Sequence, residues 1–454
     1  MGFLVIDEIF DTWTMNKTDN DFHLIFNDWH EADLRAFIRR DRNHPSIIAW
    51  SYGNEVAEQT MNVTGASLSK RLKQIVYEED PTRLSTASIN AVNPEYAFGG
   101  TVDIVSLNYR GAGIRDTNPY SGLEGITTQP EYPAWHAAYP DKMILSSESA
   151  STVSTRGSYI FPVADANSAP VNDSSGGDET VMEVSDYSLY TADFGASPDK
   201  TWEALDRSPY VAGEFVWTGF DYIGEPTPYY TARSSYSGMI DTAGFFKDRA
   251  YLYQSRWRPD LPMAHILPHW NWPDRLDKIT PVHVFSSGDE AELFVNGQSQ
   301  GRKRKGEYEY RFRWKNILYH PGEVKVVTYK NGEEWATASR QTTGPAAGLR
   351  MTADRTTIAP DGLDLSFLTV EIVDEMGDVV PEANNTIALE VTSGPGQVVG
   401  TDNGFPGDFV PLSQSTRSAF NGMALGIVRA TGAGSIRISA SSVGLESAEV
   451  VLNS

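Results

Sequence analysis

The hydrophobic period changes once along this 454-residue chain, near residue 275, and that change limits the folds open to it. Before it, short apolar runs alternate with stretches of helical spacing. Phe3–Ile6, Ile47–Trp50, Leu84–Ile89, Ile104–Leu107, Met143–Ser146 and Tyr210–Trp217 read as strands. Leu34, Phe37 and Ile38 mark a helix around Asp28–Arg42, which stops before His44-Pro45 because a residue preceding proline avoids the α region. Leu68, Leu72, Ile75 and Val76 mark another helix. Strand–helix alternation at this period predicts a parallel sheet, doubly wound or closed into a (β/α) barrel. Neither GxGxxG nor GxxxxGKS/T follows any of these strands, so nucleotide binding has no support.

After residue 275 the helical period vanishes. Asn296-Gly297 and Asn331-Gly332 sit between alternating runs and read as two-residue hairpins. Gly344-Pro345 reads as a linker. The expected organisation is therefore α/β over 1–274, a small β-sandwich over 275–343 and an immunoglobulin-like β-sandwich over 346–454. The serine- and glycine-rich stretch Asn172–Gly177 reads as a mobile loop.

Acids outnumber bases 60 to 37, and a net charge of −23 argues against nucleic acid or an anionic membrane as partner. Without cysteine the chain has no disulfide, thiol catalysis or Cys-ligated metal. It lacks an apolar run of 18 residues, and its first residues have neither the basic region nor the cleavage site of a signal peptide.

Catalytic groups of a parallel barrel stand at the C-terminal ends of its strands. The run from Ile47 ends in Asn54-Glu55, and the run from Met143 ends in Glu148. Two carboxylates on different strand ends can face each other across one mouth, as glycoside hydrolysis requires: one protonates the leaving oxygen and the other attacks the anomeric carbon. An amide directly before Glu55 can hydrogen-bond a sugar 2-hydroxyl.

The segments GFLVIDEIFDTW, DRNHPSIIAWSYGNE, ILSSES and GEFVWTGFDYIGEPT resemble the catalytic barrel of glycoside hydrolase family 2, in particular its bacterial β-galactosidases. HILPHWNW, AELFVNGQSQG and TDNGFPGD resemble the sandwich domains that follow it. The resemblance implies a (β/α)8 TIM-type barrel, here incomplete with strands three to eight, and a mechanism that retains anomeric configuration. It implies Glu55 as acid/base and Glu148 as nucleophile. Tyr109 matches a tyrosine that hydrogen-bonds the nucleophile, and Trp217 an aromatic platform on the last strand. Asp7 and Glu8 end the first strand, to bind substrate or to hold the mouth together through Arg pairs. Asp221, Glu214 and Glu225 are placed near the mouth. Where some family members bind magnesium through a Glu-x-His pair, this chain has Asp11-Thr12-Trp13, so no metal or other cofactor is expected.

The expected function is a retaining exo-β-glycosidase acting on terminal β-D-galactosyl residues of an oligo- or polysaccharide. β-Glucuronidase is the main rival, although no Asn-x-Lys motif for a sugar carboxylate lies between Gly219 and Trp272. An inactive carbohydrate-binding remnant is the reading from another class, because nothing before Phe3 supplies the first two barrel strands. The open edges predict a second copy of the chain or a further segment beside them. Family relatives are often exported, which suggests a periplasmic or secreted protein. Glu55 is expected to hold its proton through burial and the Glu148 charge, with Glu148 kept ionised by hydrogen bonds such as that from Tyr109.

Overall fold

All six expected strands form, each within a few residues of its sequence range. They are β1 (Val5–Glu8), β2 (Ile47–Asn54), β3 (Leu84–Ser88), β4 (Val105–Asn108), β5 (Ile144–Ala150) and β6 (Val211–Trp217). In this computed structural model, which describes residues 2–454, β1, β2 and β3 pair in parallel, as do β4, β5 and β6. A parallel bridge between Ile89 and Leu107 joins the two halves. Among the described residues, β1 and β6 each pair on one side only, so the sheet is a partial barrel wall.

The helices α1 (Phe26–Asp41), α2 (Val63–Glu79), α3 (Tyr132–Ala138) and α4 (Pro198–Asp206) complete this unit. Strand parity decides what they cover. Trp50 and Tyr52 of β2 point to the helices and pack with Leu34, Phe37, Leu72 and Ile75. Ala49 points the other way, into a small cluster with Ile6, Ile104 and Leu145 that lines the barrel interior. The indole of Trp50 donates to Asp80 just past α2, at 2.9 Å, which fixes that helix end against the sheet.

The chain divides into two compact units, and the division differs from the expected 1–274 region. The first unit holds residues up to Ser151 together with Asp193–Trp217; the second holds Thr152–Ala192 and Thr218–Ser454. After Ser151 the backbone leaves the parallel ladder, and the excursion is bonded to the sandwiches. Tyr187 donates its hydroxyl to Pro281 O at 2.6 Å, and Arg156 donates to the carbonyls of Asn403 and Phe420 at 2.9 Å each. The expected border at 275 also falls too late. Ala264–Leu267 pairs antiparallel with Val282–Ser286, so the small sandwich begins before that point.

That sandwich packs a three-stranded sheet (Ala264–Leu267, Val282–Ser286, Phe312–Trp314) against a four-stranded one containing Glu290–Val295 and Glu323–Lys330. Trp270 fills its core at 1% exposure. Asn296 and Gly297 both take positive φ (+49° and +76°), the geometry of a type I′ hairpin. The C-terminal sandwich consists of two four-stranded sheets over 348–453. The Asn172–Gly177 stretch is a defined turn, closed by Asn172 Oδ1 accepting from Ser174 N at 2.9 Å and capped by a short ladder from Gly177 to Val184.

Candidate active site

Both expected carboxylates stand at the C-terminal rim of the partial barrel, within the first unit. Glu55 follows β2 directly and Glu148 lies near the end of β5. Glu55 and Tyr109 both take left-handed backbone geometry (φ +47° and +61°), which costs a residue with a Cβ on the order of 1–3 kcal/mol. The ladders hold them there. Glu55 N donates to Ser88 O at 3.1 Å, and Tyr109 N donates to Glu148 O at 2.8 Å.

Hydrogen bonds join the strand ends into one network. Tyr109 donates its hydroxyl to Glu148 Oε2 at 2.6 Å. Asn108, fully buried, donates Nδ2 to Glu55 Oε1 at 2.9 Å and to Asn54 Oδ1 at 3.0 Å. Its own Oδ1 accepts from Ser147 at 2.7 Å, so the residue next to Glu148 orients the amide that orients Glu55. Asn54 donates its amide to Asp11 at 3.2 Å. Lys17 bonds Asn54 O and Asp11 at 2.9 and 2.8 Å, and its positive charge reaches Glu148 as a weak stabilising influence.

Electrostatics modify the expected division of labour. Burial, and next the negative charge of Glu55, push the Glu148 carboxyl up to about 8; the Tyr109 hydrogen bond pulls it down, and Glu8 adds to the rise. The sequence expectation that Glu148 is simply kept ionised is therefore incomplete. Two carboxylates that act on each other in a part-buried site titrate as a coupled pair. Tyr109 favours Glu148 as the anionic member of that pair.

The other expected residues divide. Trp217 stands half-buried at the end of β6, in register with Ala150. Asp7 does not join the network. It is in register with Trp50 on the helix-facing side, and burial together with the Asp41 carboxyl raises its pKa. Its neighbour Glu8, in register with Ser51, faces the interior and accepts from Ser51 at 2.6 Å. Strand alternation puts one of two adjacent acids outside and the other inside. Glu214 accepts from Trp202 of α4 at 2.7 Å and from Ser149 at 3.0 Å, so helix packing fixes it. Asp221 and Glu225 belong to the second unit. Asn108, Ser147 and Lys17 were not singled out from sequence. Asn108 ends β4, much as Glu55 directly follows β2 and Glu148 lies near the end of β5, so the strand-end rule applied to every strand finds it.

Comparison with known proteins places the chain's segments among known domains. Residues 1–157 match the family model for the TIM barrel domain of glycosyl hydrolases family 2, and residues 349–451 match C-terminal domain 5 of glycoside hydrolase family 2. Residues 277–336 match a domain of unknown function. A protein named beta-galactosidase BoGH2A from Bacteroides ovatus is 38% identical over 99% of this chain and 54% of its own length. A putative beta-glucuronidase from Formosa agariphila is 31% identical over 94% of this chain and 40% of its own. The crystal structure of a beta-glycosidase from Bacteroides vulgatus matches with a TM-score of 0.84 at 28% identity, over 99% of this chain and 56% of that one. The chain thus spans about half the length of the relatives it matches.

Proposed function

The chain belongs to glycoside hydrolase family 2, and we propose that it contributes the catalytic carboxylates of a retaining exo-β-glycosidase that removes terminal β-D-galactosyl residues. One observation carries this reading: Tyr109 donates to Glu148 at 2.6 Å while the Glu55 charge acts on the same carboxylate.

One proton on the pair supplies the chemistry. With Glu148 ionised and held by Tyr109, Glu55 carries the proton and delivers it to the glycosidic oxygen as Glu148 attacks the anomeric carbon. Bond formation neutralises Glu148, so its charge no longer holds the proton on Glu55. The pKa of Glu55 then falls, and it can take a proton from water for the second displacement. Asn108 keeps the Glu55 carboxyl oriented through both steps.

The test is hydrolysis of an aryl β-galactoside by the wild type and by Glu148→Gln, together with labelling by a 2-fluoro galactoside. The label is expected on Glu148, with the β-anomer of galactose released first. Full activity in Glu148→Gln, or a label on another residue, sinks the assignment. The likeness to a putative beta-glucuronidase supports a second reading of the sugar. The ratio of kcat/KM on aryl β-galactoside and aryl β-glucuronide separates the two.

A further inference from the structure

Within the second unit, the loop around Phe161 and the small sandwich enclose an open cavity of about 680 Å³. Its walls include Phe161, Arg275, His283, Arg313, Lys315 and Asn316. In a chain of net charge −23, three cations converge here beside a single acid, Asp165.

Each group has a separate use. The Arg275 guanidinium lies 3.6 Å from the Phe161 ring centroid, and Phe161 is braced edge-on by Trp272 at 5.1 Å. That stack presents a positive charge to the cavity. His283 is 2% exposed, and its Nδ1 has no hydrogen-bond partner within the protein. Burial, and next the Arg313 charge, drive its pKa well below the ordinary range, so it stays a neutral imidazole and adds no charge to the wall. Arg313 is anchored on the carbonyls of Asp165 and Ala166, both at 3.4 Å. Lys315 pairs with Asp165 at 3.0 Å, but the lysine side chain is half exposed and the aspartate 85% exposed. So exposed a bridge is weak, and an incoming anion displaces it readily. The volume falls within the roughly 300–1,000 Å³ of small-molecule sites.

We propose that this cavity is a non-catalytic site for an anionic sugar, with the carboxylate or sulfate between Lys315 and Arg275 and the ring against the Pro162–Ala164 wall. The Asn316 amide takes a hydroxyl. The proposal does not depend on what the Glu55–Glu148 pair cleaves.

The test is calorimetric titration of the whole chain, carrying Glu148→Gln to prevent turnover. The probes are methyl β-D-glucuronide, galactose 6-sulfate, methyl β-D-glucoside and acetate. Lys315→Glu is expected to weaken binding of the preferred anionic sugar about tenfold. Asp165→Asn, which removes the competing acid, is expected to strengthen it about threefold. Both side chains are exposed, so neither change threatens the fold, and a gain from Asp165→Asn has no purely structural origin. Preference for glucuronide or for sulfate identifies the anion. The proposal fails if neither anionic sugar binds, if both substitutions leave binding unchanged, or if acetate or the glucoside binds as tightly.

Discussion

Asp241 and Asp221 of the second unit and Glu148 of the first are buried acids with opposite company. In the second unit, Asp241 meets the Arg156 guanidinium at 2.6 Å and accepts from the backbone of Ala243 and Phe245 at 2.9 Å each. Asp221 meets Lys247 at 2.5 Å with both side chains 1% exposed, and Lys247 also donates to Ser154 O and Tyr236 O. In the first unit, the strongest charge acting on Glu148 is that of another glutamate, Glu55, and Glu8 adds to it. The paired acids hold chain segments together. The crowded ones raise the free energy of the folded, ionised state, which a sheet does not require and a proton-transferring pair does.

The largest effect that sharpens this contrast is on turnover. Glu148→Gln is expected to reduce kcat/KM by at least about a thousandfold, because the nucleophile is lost. Glu55→Gln is expected to do the same on a sugar-leaving substrate, and much less on a nitrophenyl glycoside, whose leaving group departs without a proton. Paired acids predict the reverse pattern. Asp221→Ala leaves Lys247 buried without its counter-charge, at a cost of about 3–5 kcal/mol of stability in denaturant titration. Its folded fraction should keep the wild-type kcat. Lost turnover without lost stability in Asp221→Ala would break the contrast.

How much of this is legible in sequence follows the same physics. The six parallel strands and the Asn-Gly hairpins are local: apolar runs, turn residues and their spacing specify them without tertiary information. The two carboxylates are legible because Glu55 and Glu148 lie at or beside the C-terminal ends of their strands. Which of Asp7 and Glu8 faces the interior is not, because both are acids and a one-residue change of parity exchanges them. The parity is set by pairing of β1 with β2, where Asp7 meets Trp50 and Glu8 meets Ser51. The excursion 152–192 shows neither period, since it is held by long-range bonds such as that from Tyr187 to Pro281. Likewise, the rise of Glu148 comes from burial by the fold and next from a charge 93 positions away in sequence, at Glu55.

Tyr109 gives a smaller and more specific test. Tyr109→Phe removes the hydrogen bond that stabilises the Glu148 anion, so kcat should fall about 10- to 100-fold. Activity requires one proton on the pair, and the alkaline limb of the pH–rate profile reports its loss. With Glu148 near 8 in the wild type, that limb should move to higher pH in Tyr109→Phe. A movement to lower pH, or none, breaks the link between this hydroxyl and the pair.

The smallest effect is on stability, and its sign distinguishes the two kinds of acid. Glu148 is raised in the folded state from its ordinary carboxylate value of 4.5 to about 8. A group with a raised folded pKa contributes its stability at low pH and loses it as pH climbs through the folded value. The wild type should therefore lose stability between about pH 4.5 and pH 8, while Glu148→Gln, which cannot ionise, does not. The Tm of the variant should match that of the wild type near pH 4 and exceed it by about 2–5 °C at pH 8 and above. Asp241→Asn removes an acid that faces Arg156, so it should lower Tm at pH 8 instead. If both variants shift in the same direction at pH 8, the two environments do not differ in the way their charges imply.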